Sequence, residues 1–195
     1  MSEEIRQRIL DAATRLFLQY GYKHTTVDEI ASAVGIAKGS LYLHFDSKEA
    51  VFGAASQRVC HQVLDTIATT AASDLPVEQK IHKLCMDSAL YIWDFCHQAP
   101  HSPDLFNEIL SAAAKYALPA YDAAREVIAG VIREGQAKGV FRMELDPGGT
   151  ARLLQLAMKG FELPYVLIGT RGEIETQLPT LLNIFLRGLK AGPAC

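Results

Sequence analysis

Residues 25–48 read TTVDEIASAVGIAKGSLYLHFDSK, and their spacing describes two short helices around a glycine turn. Val27, Ile30, Ala31 and Val34 fall at i, i+3, i+4 and i+7, the inward stripe of an amphipathic helix. Thr26 followed by Glu29 is a capping-box pattern that would start this helix, and Gly35 can take the positive φ that ends it. Ile36, Leu41 and Phe45 supply inward anchors for a second helix crossing the first, which leaves Lys38, Gly39, Ser40, Tyr42 and His44 pointing away from that core. Gly39 costs a helix roughly 1 kcal/mol relative to Ala. On an outward face it makes sense where the helix must approach a base edge or sugar closely. Together these features are those of a helix-turn-helix docking on the backbone and in the major groove of DNA.

Flanking residues extend the pattern. Ile9, Ala13, Leu16, Phe17 and Tyr20 form a helical stripe ending at Gly21, a third helix that completes a small core. Asp46 with Glu49 can cap a further helix running through Val51, Phe52 and Ala55. Lys48 lies in its first turn, where the macrodipole disfavours a cation. A phosphate held between Lys48 and the helix amides would reverse that penalty.

The run IRQRILDAATRLFLQYGYKHTTVDEIASAVGIAKGSLYLHFDSKEAVF, residues 5–52, resembles the N-terminal DNA-binding domain of the TetR family of bacterial transcriptional regulators. The resemblance implies an all-α chain of about nine helices. It implies a three-helix DNA-binding domain over residues 1–46 and a larger helical ligand-binding and dimerisation domain over 47–195. It further implies a homodimer on a palindromic operator in double-stranded DNA, released by a small molecule. Carried over by motif, Thr25, Thr26, Tyr42 and Lys48 would touch phosphates, while Lys38, Gly39, Ser40 and His44 would meet base edges or nearby backbone. Two positions depart from the pattern. Ala37 stands where many members have Ser, which removes an N-cap, and Leu43 stands where some have a second aromatic.

Charge sets a limit on how DNA is held. Residues 1–55 carry Arg6, Arg8, Arg15, Lys23, Lys38 and Lys48 against Glu3, Glu4, Asp11, Asp28, Glu29, Asp46 and Glu49, and the whole chain is at −3. Such a balance excludes a histone-like coating role. Non-specific affinity should be weak and salt-dependent, and specific binding would need two copies of the motif on a symmetric site.

At 195 residues and 49% hydrophobic content, the chain can bury the cores of one small and one larger domain. The start, MSEEIRQR, has no apolar run of the signal-peptide kind. The best membrane-length candidate is broken by Arg152, Lys159 and Glu162. Cys60, Cys85, Cys96 and Cys195 lack paired spacing and are expected to be reduced thiols, which suits a cytoplasmic protein with no membrane association.

Beyond residue 55 the pattern is helices punctuated by Pro and Gly. One runs from Ser47 to about Ala72; the next carries Val77, Ile81, Leu84, Ser88, Ile92 and Phe95 inward; another opens at Ser102-Pro103-Asp104 with Phe106 and Leu110 inside. Pro119 is expected in the first turn of a helix bearing Tyr121, Ala124, Ile128, Val131 and Ile132, closed by Gly135 and Gly139. Asp146 before Pro147 reads as an N-cap with Pro at N1. The phrase IREGQAKGVFRMELDP, residues 132–147, is similar to a connection before the last two helices of TetR-family members.

A helix from about Gly148 to Ile168 is apolar on more than one side. Leu154, Met158, Phe161 and Tyr165 share one face, and Leu153, Leu156, Gly160, Pro164 and Leu167 lie roughly opposite. Such a helix must be covered on both sides, and Pro164 should kink it. The last helix shows one stripe, Leu178, Leu181, Leu182, Phe185 and Leu189. Two such helices from each subunit would make a four-helix dimer interface containing Leu153, Leu156, Gly160, Leu167 and that stripe. For an effector, Cys85, Ala89, Trp93 and Cys96 lie along one flank outside the main stripe of their helix. They could line an apolar cavity with Phe106, Tyr121, Met158, Phe161 and Tyr165, to which Glu162 would add a carboxylate.

Cys60-His61, His82 with Cys85, and Cys96-His97 with His101 offer zinc-type donors but no four-ligand signature, so neither metal nor cofactor is expected. No phosphate loop, nucleophile elbow or metalloprotease helix suggests an enzyme. The leading expectation is a homodimeric repressor gated by a small, largely hydrophobic effector. The alternatives are a DNA-binding protein of chromosome organisation or cell division without a switch, and a helical carrier or enzyme whose motif is vestigial.

Overall fold

In a computed structural model, residues 2–101, 108, 113–161 and 169–191 are described. Among them the chain is helical, with α1 at Ser2–Tyr20, α2 at Val27–Val34, α3 at Lys38–Tyr42, α4 at Lys48–Ala71 and α5 at Val77–His97. There follow α6 at Ala113–Ala137, α7 at Pro147–Met158, a 3-10 turn at Lys159–Phe161 and α8 at Arg171–Leu189. No helix among the described residues is long and apolar enough to cross a membrane.

Two compact units divide the chain, Met1–His61 with Phe95–Pro119, and Gln62–Asp94 with Ala120–Cys195. The break expected after residue 46 is therefore not where the contacts divide. The start of α4 buries Val51, Phe52 and Ala55 in the first unit, and the end of α5 returns Phe95 and Cys96 to it.

In the first unit, Ile9, Ala13 and Phe17 of α1 are fully buried, as are Ile30 of α2 and Leu41 of α3. Phe17, Tyr22 and Phe52 form a ring cluster, with Tyr22 and Phe52 centroids 4.6 Å apart. Tyr20, expected inward, is 49% exposed instead. It falls in the last turn of α1, just before Gly21 turns the chain at φ 84°. Ser47, rather than Asp46, caps α4: its hydroxyl accepts from the Ala50 amide at 3.1 Å.

The second unit is built on a single apolar cluster. Ile81 and Leu84 of α5, Ile128 and Ile132 of α6, Ala151 and Leu154 of α7, and Ile174, Leu178 and Leu182 of α8 all contribute to it. Asp146 caps α7, its carboxylate accepting from the Gly149 amide at 2.6 Å, and Thr170 with Glu173 forms a capping box on α8. Lys80, almost wholly buried, donates to Glu134 at 2.8 Å, and Glu134 also binds the exposed Lys138 at 2.7 Å. Arg142 and Ala191 amides bond the Leu189 and Val140 carbonyls, tying the end of α8 to the α6–α7 connection.

Several expectations change here. Pro119 lies inside α6, which begins at Ala113. Gly135 does not end that helix: it is buried beneath the Phe141 ring, and Gly139, at φ 70°, makes the turn. The helix expected over 148–168 stops being α-helical at Met158 and tightens into the 3-10 turn. Pro164 and Leu167, with the segment around Phe106 and Leu110, lie outside the described residues.

Candidate DNA interface and effector region

The geometry of α2 and α3 follows from their ends. Thr26 accepts from the Glu29 amide at 3.2 Å while the Glu29 carboxylate accepts from the Thr26 amide at 2.7 Å. The Thr26 amide, and after it the Thr26 hydroxyl donating to the same carboxylate at 2.8 Å, hold the Glu29 carboxyl below its ordinary range. Gly35 closes α2 in the left-handed conformation at φ 74°, its N–H bonding Ala31 and Ser32 carbonyls. Arg8 of α1 donates to the Val34 carbonyl at 2.7 Å, satisfying a further carbonyl at that helix end. Ala37 makes no side-chain cap to α3.

Leu41 of α3 is fully buried and Phe45, just beyond the helix, nearly so, which points the other face of α3 outward. Lys38 and Gly39 are exposed, Tyr42 is 43% exposed, and Ser40 and His44 are half-buried. A Cβ at Gly39 would meet nothing within 4 Å, and its φ is not positive. The fold itself therefore has no need of glycine there. Leu43, at the C-terminal end of α3, is 85% exposed.

Two of the expected phosphate contacts look different in place. Thr25 is buried, its hydroxyl donating to the Gly21 carbonyl at 2.9 Å, so its side chain is turned away from the surface. Lys48 spends two donors inside the protein, on the Tyr22 carbonyl at 3.0 Å and the Thr25 carbonyl at 3.1 Å. Its ammonium also sits 4.4 Å from the Tyr22 ring centroid. These partners offset the repulsion of the α4 N-terminus, the role the sequence had given to a phosphate. Asp28, unremarked in the sequence, accepts from Lys38 Nζ at 2.6 Å across α2 and α3. This bond is the main reason the Lys38 ammonium is held above its ordinary pKa.

The expected effector-lining residues separate. Cys85 and Ala89 are core residues of the second unit rather than an outlying flank, because α5 is packed on both of those faces. Burial pushes the Cys85 thiol up to about 12. Trp93, Met158 and Phe161 pack, half-buried, against that same cluster. Tyr121 is half-buried, and its carbonyl accepts from Gln155 at 2.9 Å. Cys96 is buried in the first unit. Phe106, Glu162 and Tyr165 lie outside the described residues. A groove of about 440 Å³ on the second unit, lined by Glu78, Gln79, His82, Asn183, Leu186, Arg187 and Lys190, includes none of them.

The expected dimer residues also divide. Leu178, Leu182 and Leu189 belong to the core of the second unit, at 0%, 0% and 5% exposure, and leave almost no side-chain surface for a partner. Leu181 and Phe185 are half-buried at the edge of that core. Leu153 and Leu156 of α7 remain exposed at 61% and 50%, and Gly160 is exposed beyond them. Ile184 of α8, outside the expected stripe, is exposed at 65%.

A model of the bacterial regulatory proteins of the tetR family matches residues 9–55. The HTH-type transcriptional repressor KstR2 of Rhodococcus jostii (strain RHA1) is 31% identical over 143 residues, 72% of this chain and 70% of that protein. The Staphylococcus aureus (strain Newman) regulator IcaR, a negative transcriptional regulator of the biofilm operon icaADBC, is 43% identical over 63 residues, 32% of this chain and 33% of its own. In three dimensions the chain is similar to SmeT, the repressor of the Stenotrophomonas maltophilia multidrug efflux pump SmeDEF. There the TM-score is 0.71 at 20% identity, covering 96% of this chain and 91% of SmeT. The SmeT–triclosan complex gives a TM-score of 0.69 at 18% identity, over 97% and 93% of the two chains. With the helix-turn-helix geometry and a relative matched over most of its length, the chain belongs to the TetR family of DNA-binding transcriptional regulators.

Proposed function

We propose that the chain is a homodimeric repressor that holds a palindromic operator through two copies of α3 and leaves it when a small, largely hydrophobic effector enters the second unit. The observation that carries the DNA half is the outward face of α3. Lys38, Gly39 and Tyr42 stand exposed there, and the glycine serves no packing need of the chain. Lys38, Gly39, Ser40 and His44 would meet base edges, and Tyr42, Thr26 and the remaining donor of Lys48 would meet phosphates.

Pairing is supported by the exposed Leu153 and Leu156 on α7 and by the exposed Ile184 on α8, whose helix also carries the half-buried Leu181 and Phe185. Covering these side chains with the same face of a second copy would remove their apolar surface from water. The effector is assigned to the surroundings of Trp93, Met158 and Phe161, half-buried against the core, and of the half-buried Tyr121, which together offer aromatic and thioether surface to an apolar ligand. SmeT, of the same fold, forms a complex with triclosan, an example of a small apolar ligand on this architecture. Ligand would act by favouring a spacing of the two α3 helices that the operator does not fit.

Selection of duplexes from a randomised pool by the full-length chain, followed by anisotropy titrations with small apolar compounds, tests the reading. The expected result is a symmetric consensus bound more tightly than random DNA and released by at least one compound class. Equal affinity for selected and random DNA would overturn it.

A further inference from the structure

We propose that Asp28 determines operator specificity: bonded to Lys38, it forms with it a donor–donor–acceptor unit that reads a G·C pair in the major groove. The inference rests on the DNA-reading role proposed above and names the base chemistry at one position. Lys38 heads α3 and Asp28 lies in the first turn of α2, yet their side chains meet at 2.6 Å with both still exposed, 51% and 63%. An exposed ion pair adds little to folding, and Glu29 already closes the capping box of α2. Its place in the first turn of α2 suits the helix macrodipole, but none of these roles calls for the carboxylate to meet the leading cation of a helix meant for DNA, where an acid facing phosphate would be repelled.

Facing a base pair, the same acid is useful. A lysine alone is a flexible point charge that turns readily to a phosphate. Held by Asp28, the ammonium keeps two N–H donors, and the carboxylate keeps lone pairs for a donor from outside. Across the major groove a G·C pair presents acceptor, acceptor and donor: guanine N7 and O6, then the cytosine amino group. An A·T pair presents acceptor, donor and acceptor in the same order. Two donors followed by an acceptor complement the first pattern and clash with the second. The pair is also near neutral as a unit, so it adds discrimination with little general attraction to DNA.

The test compares full-length wild type with Asp28→Ala and Asp28→Asn on the selected operator, on versions with each G·C pair changed to A·T, and on random DNA at two salt concentrations. Thermal melting confirms that each variant is folded, and Asp28→Asn keeps the shape if Asp28→Ala does not fold. Wild type should lose about tenfold or more when one particular G·C pair of the half-site is swapped. Asp28→Ala should lose that preference alone, and Asp28→Asn, which keeps a weaker neutral acceptor, should reduce it. Asp28→Ala should also bind random DNA more tightly with a salt slope steeper by about one, because Lys38 is freed for a phosphate. Unchanged G·C preference in both variants would overturn the proposal and leave the DNA-reading role standing. A wild-type protein without any sequence preference would overturn both.

Discussion

The Phe141 ring lies directly over Gly135, so close that a Cβ at residue 135 would overlap three of its ring carbons. Phe141 is 1% exposed and sits in the middle of the segment, 140–142, whose backbone pairs with the end of α8. Gly135→Ala therefore forces the ring out of a fully packed site and should lower stability by about 1–3 kcal/mol. Gly139→Ala should cost less through packing, since nothing lies within 4 Å, and act through its φ of 70°. Denaturant unfolding of the two variants checks the order.

The Lys80–Glu134 pair predicts an asymmetry. Lys80 is 6% exposed at its side chain and Glu134 is 30%. Glu134→Gln strands a buried ammonium and should cost about 3 kcal/mol, whereas Lys80→Met leaves Glu134 paired with Lys138 near solvent and should cost far less. The bonds from Lys138 and then Lys80 hold the Glu134 carboxyl below its ordinary value. Its contribution is thus full above the unfolded carboxylate range and is lost as pH falls through the lowered one. Acid unfolding of wild type should accordingly be steeper than that of Glu134→Gln.

Two leucines separate the proposed pairing surface from the core. Leu178→Ala empties a fully buried site and should cost about 2–5 kcal/mol. Leu156→Arg, on an exposed position, should leave the melting temperature of the subunit fold near its original value and yield monomers in sedimentation velocity. Operator affinity should then fall to that of one half-site, because the second contact is no longer linked to the first.

Burial pushes Cys85 up to about 12 and Cys96 up to about 11 from an ordinary 9.0. At pH 8 both should resist a thiol reagent until the chain unfolds, while half-buried Cys60 reacts sooner. A raised thiol pKa stabilises the fold below pH 9.0 and ceases to do so as pH climbs toward 11 and 12. The denaturation midpoint of wild type should fall faster in that window than that of a Cys85→Ala, Cys96→Ala variant.

The DNA-binding half was legible because its signals are local. Thr26 and Glu29 cap within four residues, and Gly35 ends the helix that they start. The contacts of Lys48 were not legible, since its carbonyl partners lie 23 and 26 residues away in a loop. In the second unit, periodicity found the apolar residues of α8 and misassigned what they face. Leu178 and Leu182 look like Leu181 and Ile184 in composition, and only the packing of the other helices decides which are covered. Gly135 reads as a helix terminator in sequence, which shows a missing side chain without showing the Phe141 ring that occupies its place.

The paired reading of DNA is tested most directly by spacing. Half-sites selected with the full-length chain are placed in one duplex, and five base pairs, about half a helical turn, are inserted between them. Anisotropy titration should show affinity falling to that of an isolated half-site, with a second insertion of five restoring part of it. Affinity indifferent to the insertion would contradict two linked copies of the Lys38–His44 face.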